Sequence, residues 1–307
     1  MIRGPQPPKT GRGNSAVSED AAQKGKSKVK VKLRAITILF CSLASLFLLT
    51  SCSKISDPHN EFRVGMECAY SPFNWVQPDD SHGAVKISGS WYACGYDVEI
   101  AKIIADAMGR KLIIAHIDWD GLLPALTSGK IDAIIGGMSA TPERKEAIDF
   151  TNNYYKSNIV VVVKKDGPYS SAKSLEDLAG ARITGQLGTL HYDKFIDQIS
   201  GVEKQPPMKD FASMIVAIGS GKIDGYVSER PGAMSAVATN SRLEYIEFEQ
   251  DKGFTFTQDE VAIAIGVKKG NTKLKDQINE VLATISEETR TRLINEAVEH
   301  QPSAGLA

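Results

Sequence analysis

Two stretches decide the fold: Leu122-Leu123-Pro124-Ala125-Leu126-Thr127-Ser128-Gly129-Lys130-Ile131-Asp132 and Met214-Ile215-Val216-Ala217-Ile218-Gly219-Ser220-Gly221-Lys222-Ile223-Asp224. Each reads as an apolar helix, a Ser-Gly stop and a Lys-Ile-Asp lead into an apolar strand. A single SGKID is ordinary turn chemistry, since Gly129 and Gly221 can end helices and Asp132 and Asp224 can bond nearby amides. The matching helical positions ahead of both copies make it a repeat. Two similar α/β lobes, each using the same helix–turn–strand unit, are expected.

The chain outward from the first copy supports this. Phe62–Gly65 and Lys111–Ile117 read as strands, and so does the apolar run Ile131–Ile135. Gly95–Met108 carries apolar residues at helical spacing (Val98, Ile100, Ala101, Ile103, Ile104, Ala107) and stops at Gly109. A short helix is expected over Gly121–Leu126. Alternation of this kind predicts α/β lobes with mostly parallel sheets and helices on both faces. In such sheets ligands sit beyond the carboxyl ends of the strands, so the segments just after each repeat are where a site is expected.

The first fifty residues are of a different character. A Pro-, Gly-, Lys- and Ser-rich extension carries a basic run from Lys24 to Arg34, followed by about fifteen apolar residues from Ala35 to Leu49. That is short of the roughly 20 residues a bilayer span needs. Basic flank, short apolar core and small residues make residues 1–51 a secretory signal with a long N-terminal extension. Leu49-Thr50-Ser51-Cys52 resembles a lipobox, so Cys52 is expected to carry a lipid and residues 52–60 to form a tether. The chain is then anchored to the outer side of a cell membrane. Of 36 Lys/Arg and 37 Asp/Glu, nine and two lie in residues 1–51, which leaves 27 against 35, a net charge of −8. An acidic body argues against nucleic-acid binding, which needs a basic footprint. Cys68 and Cys94 remain outside the signal, free to pair or to stay as buried thiols. No CxxC and no metal-spaced His cluster occurs, so neither a metal nor a cofactor is expected.

Four segments carry the candidate site. Gly136-Gly137-Met138-Ser139-Ala140-Thr141-Pro142-Glu143-Arg144 follows the first repeat. Its glycines let the backbone approach a ligand, Thr141 suits an N-cap and Pro142 a first helical position. Arg144 in the first helical turn opposes the macrodipole, a conflict that an anionic partner removes. Amides around Gly137–Ser139 plus a guanidinium fork suit a carboxylate. Thr184-Gly185-Gln186-Leu187-Gly188-Thr189-Leu190-His191 turns from a strand into a helix near Thr189, a second anion-facing element. His191 reads here as a helix residue. Tyr226-Val227-Ser228-Glu229-Arg230-Pro231 follows the second repeat and offers Glu229 to an ammonium. Glu67-Cys68-Ala69-Tyr70-Ser71-Pro72-Phe73-Asn74-Trp75 is aromatic-rich, and Tyr70 and Trp119 suit pocket walls.

At these residues the chain resembles the polar amino-acid-binding proteins of ABC importers. Gly95-Tyr96-Asp97-Val98-Glu99-Ile100 is similar to that family's GFDVDL signature, and Trp119–Leu126 to its WDGLIPAL run. Gly137-Met138-Ser139-Ala140-Thr141 with Arg144 resembles its G-[ML]-[ST]-x-T-x-x-R site. The resemblance covers about residues 60–300 and implies the type II periplasmic binding protein fold: two Rossmann-like lobes joined by a two-strand hinge. Lobe one is then 61–155 plus 250–300 and lobe two 156–249, with crossings near Tyr155–Ser157 and 246–254.

The resemblance implies roles. Arg144 holds the ligand α-carboxylate with amides near Ser139 and Thr189, and Glu229 takes the α-ammonium where the family often has Asp. The Gly137 carbonyl also faces the ammonium. Tyr70 and Trp119 sandwich the side chain, Glu67 reads its far end, and Asn74 and Gln186 are further candidates. A cationic ligand, arginine or lysine, is favoured by two aromatic faces and Glu67, with glutamine or histidine next. The implied partners are a membrane permease and ATPase, with the chain itself a monomer and not an enzyme. Two other functions are weighed. A small-carboxylate dehydratase on the same fold needs an acid–base pair, and His59, His82, His116 and His191 show no carboxylate partner by spacing. A sensory or adhesive surface lipoprotein would share every feature named.

Overall fold

The computed structural model describes residues 60–249 and 251–302. The signal segment, the N-terminal extension and Cys52 lie outside the described residues. Among the described residues no helix is long and apolar enough to cross a membrane.

In chain order the first lobe begins with strand β1 (Glu61–Met66), β2 (Ala69–Tyr70), β3 (Asn74–Gln77), β4 (Val85–Ser88) and β5 (Trp91–Cys94). Helix α1 (Tyr96–Ala107), β6 (Lys111–His116), helix α2 (Trp119–Thr127), β7 (Ala133–Ile134), helix α3 (Pro142–Ala147) and β8 (Ile148–Lys156) follow. The second lobe contributes β9 (Ile159–Lys164), β10 (Arg182–Thr184), β11 (Glu203–Lys204), helix α4 (Phe211–Gly219), β12 (Gly225–Glu229), helix α5 (Arg230–Thr239) and β13 (Leu243–Ile246). The chain then returns through β14 (Ala262–Lys268) to helices α6 (Thr272–Thr284) and α7 (Glu287–His300).

The two lobes repeat one sheet. The first is ordered β6-β1-β7-β14-β8 and the second β11-β10-β12-β9-β13. In each, three parallel strands meet an antiparallel fourth: β14 against β7, and β9 against β12. The sheets are therefore mixed, not mostly parallel. The antiparallel strands are the first or last of the chain's crossings, so they enter each sheet from the other lobe instead of from a helical crossover. A third, antiparallel sheet, β2-β3-β5-β4, is appended to lobe one.

The repeat proves to be scaffold. Lys130 N donates to Ala125 O at 2.9 Å and Lys222 N to Ala217 O at 3.0 Å, closing both helices the same way. Gly129 (φ 78°) and Gly221 (φ 71°) take the left-handed turn each stop requires. Asp132 accepts from Arg63 Nη2 at 2.8 Å and from Arg63 N at 2.9 Å. Asp224 repeats this on Arg182, at 2.6 Å and 2.9 Å. Each Asp thus ties the repeat to the corresponding strand of its own sheet, β1 or β10, a stronger partnership than the local amides expected of it.

Alternate residues of β1 (Phe62, Val64, Met66) are fully buried, as are Val98, Ile100, Ala101 and Ile104 of α1. Such burial stabilises by roughly 1.5–3 kcal/mol per large side chain. The main core runs from Phe62 and Tyr70 through Phe211 to Tyr226, so it is continuous between the lobes. Cys68 and Cys94 are separate buried thiols.

The outgoing crossing falls at Ser157–Asn158, between β8 and β9. The return differs from the expected 246–254. Phe254 and Val261 belong to the second lobe's core with Ile159, Leu178 and Ile246. Thr255 N donates to Gln198 Oε1 at 2.7 Å. The chain leaves that lobe only at Val261–Ala262, beside the outgoing strand, where Ser157 N donates to Val261 O at 3.1 Å. Phe254 holds the segment there, because pulling it away would expose an apolar ring to water.

Candidate functional site

The two strand-end loops expected to carry the site face each other across the crevice between the lobes. From lobe one come Glu67, Tyr70, Trp119, Gly137, Ser139 and Arg144; from lobe two come Gln186, Thr189, His191, Phe211 and Glu229. The space they enclose is about 20 Å³, little more than a water molecule needs. The crevice is closed, and most of its polar groups bond one another.

Arg144 is presented by α3. Thr141 caps that helix, its Oγ1 accepting from Arg144 N at 3.3 Å. The guanidinium donates to Ser139 O of its own lobe at 2.9 Å and to Gly188 O of the other at 3.0 Å. It lies over the Trp119 ring at 5.2 Å. Burial lowers its pKa to about 10, against the pull of Asp193, Glu143 and Glu229, so it stays charged at neutral pH.

Glu229 ends β12 on the opposite wall and is buried. Its Oε1 lies 3.1 Å from His191 Nε2, and its Oε2 accepts from the Tyr70 hydroxyl of lobe one. Burial pushes this carboxyl up, yet His191 and Tyr70 together outweigh burial and hold it below the usual range. Glu67 behaves oppositely. Gln186 Nε2 donates to its two oxygens at 2.9 and 3.1 Å across the crevice. A neutral amide compensates burial less, and the Glu67 pKa rises to about 7.

Two expected residues take other places, and one expected aromatic pairing is different. Asn74 is fully buried and faces away from the crevice. Its Oδ1 accepts from Cys68 N at 2.7 Å, and its Nδ2 donates to Asp97 Oδ2 at 2.7 Å. It holds the Glu67–Tyr70 loop, including Cys68 at φ 53°, from behind. Met138 points into the apolar cluster of Leu122 and Ile134, leaving only its backbone near the site. Tyr70 stacks on Phe73 (5.0 Å) and on Phe211 (4.5 Å, 14°), while Trp119 covers Arg144. The aromatic partner of Tyr70 across the crevice is Phe211, not Trp119.

Gly137 lies at φ 68°, and a Cβ there would meet Tyr70 Cε1 at 2.8 Å. Its N–H, expected free, donates to the Tyr154 hydroxyl at 3.2 Å, which donates in turn to Asp97 Oδ1 at 2.7 Å. Asp97, from the Gly-Tyr-Asp motif, thereby braces both lobe-one loops. Thr189 is buried, and its hydroxyl donates to Gln186 O at 2.7 Å.

His191 and Phe211 are site residues that the sequence reading did not include. Phe211 had a signal. Extending the repeat by four residues aligns Asp210-Phe211 with Asp118-Trp119, an N-cap position and an aromatic opening the helix in each lobe. His191 had none, because Glu229, the carboxylate partner it was thought to lack, stands on a different element. Among the described residues no group of three or more His, Cys, Asp or Glu is placed to hold a metal.

A family model described as bacterial extracellular solute-binding proteins, family 3, matches residues 62–298. The chain is 32% identical over 235 residues to a probable histidine-binding protein of Campylobacter jejuni, covering 73% of this chain and 85% of that one. It is 27% identical over 256 residues to the arginine-binding extracellular protein ArtP of Bacillus subtilis, covering 80% and 90%. Among solved structures it resembles an amino acid ABC transporter substrate-binding protein of Streptococcus pneumoniae bound to L-arginine. That match has a TM-score of 0.69 and 27% identity, and covers 78% of this chain and 94% of that one.

Proposed function

The chain belongs to the bacterial extracellular solute-binding proteins of family 3, and from that premise we propose that it captures a cationic amino acid for an ABC importer. One observation carries the reading. A guanidinium from one lobe and a carboxylate from the other, Arg144 and Glu229, border the same closed crevice. A zwitterion presents the complementary charges at its two ends. Arg144 takes the α-carboxylate and Glu229 the α-ammonium. Buried charges of this kind are tolerable only when each is paired.

Arginine or lysine is the favoured ligand, with histidine or glutamine next. Glu67 provides a carboxylate at a distance from Glu229, and the similar proteins include arginine and histidine binders. Because the crevice holds only about 20 Å³ when its own groups are paired, an amino acid enters after the lobes part about Ser157–Asn158 and Val261–Ala262. Opening releases Gln186 from Glu67 and Arg144 from Gly188 O. Closure around the ligand replaces those contacts, and the population shifts by the difference.

Titration calorimetry of residues 53–307 against L-arginine, L-lysine, L-histidine and L-glutamine tests the reading. Saturable 1:1 binding with a cationic ligand tightest is expected. Binding of glutamine alone would reverse the ligand ranking, and heat from none of the four would refute capture of a polar amino acid.

The His191–Glu229 contact also meets the acid–base requirement of a small-carboxylate dehydratase. Recovery of bound ligand chemically unchanged is the outcome expected here. Turnover of a carboxylic acid would support the enzyme instead.

Cys52 carries the lipid in this proposal, so the monomeric body works on the outer membrane face beside a permease and its ATPase. Cys52→Ala should abolish palmitate labelling and release the chain to the medium. Retention on membranes would count against the anchor, and capture of a sensor rather than a permease would favour signalling.

A further inference from the structure

We propose that Phe211 of lobe two and Tyr70 of lobe one are the two faces of a slot that grips the ligand side chain, and that this slot selects a flat guanidinium over an ammonium. The inference rests on the capture function above and adds a specificity-determining residue that ranks arginine over lysine.

Phe211 is the first residue of α4. Asp210 caps the helix, its carboxylate accepting from Ser213 N at 2.8 Å, which fixes where the ring starts. The ring is buried and lines the crevice. It lies 4.5 Å from the Tyr70 ring at an interplanar angle of 14°. Tyr70 is held in turn by Phe73 of its own lobe, 5.0 Å away, which does not line the crevice. Two glycines crowd its edges. A Cβ at Gly137 would meet Tyr70 Cε1 at 2.8 Å, and one at Gly232 would meet Cε2 at 3.0 Å. Of the two stacking partners of Tyr70, only Phe211 moves with the other lobe. Trp119 is less suited to the part. It shares a lobe with Tyr70, and the Arg144 guanidinium already lies 5.2 Å over its ring. A second cation brought there would meet a like charge.

The stack is flanked by two carboxylates. The Tyr70 hydroxyl donates to Glu229. Glu67 precedes Tyr70 by three residues, and the Gln186 amide that bonds it also donates to Lys209 O at 3.0 Å, two residues before Phe211. A ligand with its α-ammonium at Glu229 and a distal cation at Glu67 lays its side chain along the Tyr70–Phe211 pair. A flat group touching both rings needs them roughly 7–8 Å apart, about 3 Å more than the present stack. Because the rings belong to different lobes, a slightly wider closure supplies that gap without repacking either core. A guanidinium is planar, weakly hydrated and stacks on aromatic faces, whereas an ammonium is compact and strongly hydrated. Two near-parallel faces therefore favour the guanidinium.

The test reads a ratio of affinities, which a merely structural role for Phe211 would not move. Calorimetry on wild type should show L-arginine bound about tenfold more tightly than L-lysine, the size of one cation–π contact in a desolvated site. Phe211→Leu keeps an apolar side chain against Tyr70 but removes the aromatic face, and its ratio should fall to about twofold or less. Phe211→Tyr restores a face and should restore the ratio. A thermal melt shows whether each variant is folded. In the unmodified chain, bound L-arginine should give nuclear Overhauser contacts from its δ-methylene protons to the rings of both Tyr70 and Phe211, a readout independent of the variants. A wild-type ratio below about threefold, a ratio unchanged in F211L, or contacts that miss Phe211 overturns this inference and leaves the capture function standing. So does a wild type that binds only L-histidine or L-glutamine. Wild type binding none of the four overturns both.

Discussion

Removing the guanidinium of residue 144 is the sharpest test of how a ligand is held. Arg144 has five N–H donors, and the closed crevice uses two of them, on Ser139 O at 2.9 Å and Gly188 O at 3.0 Å. The remaining donors suffice for a two-point contact with a carboxylate. Arg144→Ala leaves that carboxylate in a desolvated site with no cation. The loss for truncating one member of a buried charge pair is about 2–5 kcal/mol, or roughly 30- to 4000-fold in Kd at about 1.4 kcal/mol per decade. Arg144→Lys keeps the charge, but one ammonium cannot hold Ser139 O and also make the two-point contact with a planar carboxylate, so it should fall between wild type and Ala. Calorimetry with the tightest-binding amino acid reads the effect, and a thermal melt establishes that each variant is folded. An R144A protein that binds within threefold of wild type would refute the reasoning, because the carboxylate would then be held elsewhere.

The remaining predictions concern pH and stability. The Glu67 pKa is raised by burial to about 7 from an ordinary 4.5, so across that window the folded chain holds more protons than the unfolded one. Stability without ligand should therefore fall as pH rises from about 4.5 through 7. Glu67→Gln should remove that component, and its melting temperature should gain on wild type between pH 5 and 8; a constant difference would contradict the assignment. Asp97→Ala strips partners from Asn74 Nδ2 and the Tyr154 hydroxyl, each bonded to it at 2.7 Å, and should destabilise by about 2–5 kcal/mol in denaturant melts; a loss under 1 kcal/mol would show that the loops do not depend on it. Asp132→Ala and Asp224→Ala break equivalent ties in the two lobes. Each should cost about 1–2 kcal/mol, and the double variant should lose close to the sum; strong non-additivity would speak against independent scaffold units.

Legibility tracked how local the physics was. The helix from Tyr96 to Ala107 and the strand from Lys111 to His116 were readable because apolar periodicity and stop residues act within a few positions. The cap at Thr141 and the placement of Arg144 were readable for the same reason. Asn74 was misread because its neighbours are aromatic and near the site; its amide turns inward to Asp97, 23 residues away. Phe254 was misplaced because nothing local tells which of two cores an aromatic residue joins.

By itself the sequence determined that two like α/β units exist, that their strand ends carry a guanidinium on one side and a carboxylate on the other, and that the body is acidic. These follow from periodicity, turn chemistry and composition, which short segments carry alone. Only the tertiary structure decided which groups meet: His191 with Glu229, Glu67 with Gln186, Tyr70 with Phe211. Each pair spans elements far apart in the chain. Hydrogen bonds and ring contacts form over a few ångströms of space, a distance that sequence separation does not encode.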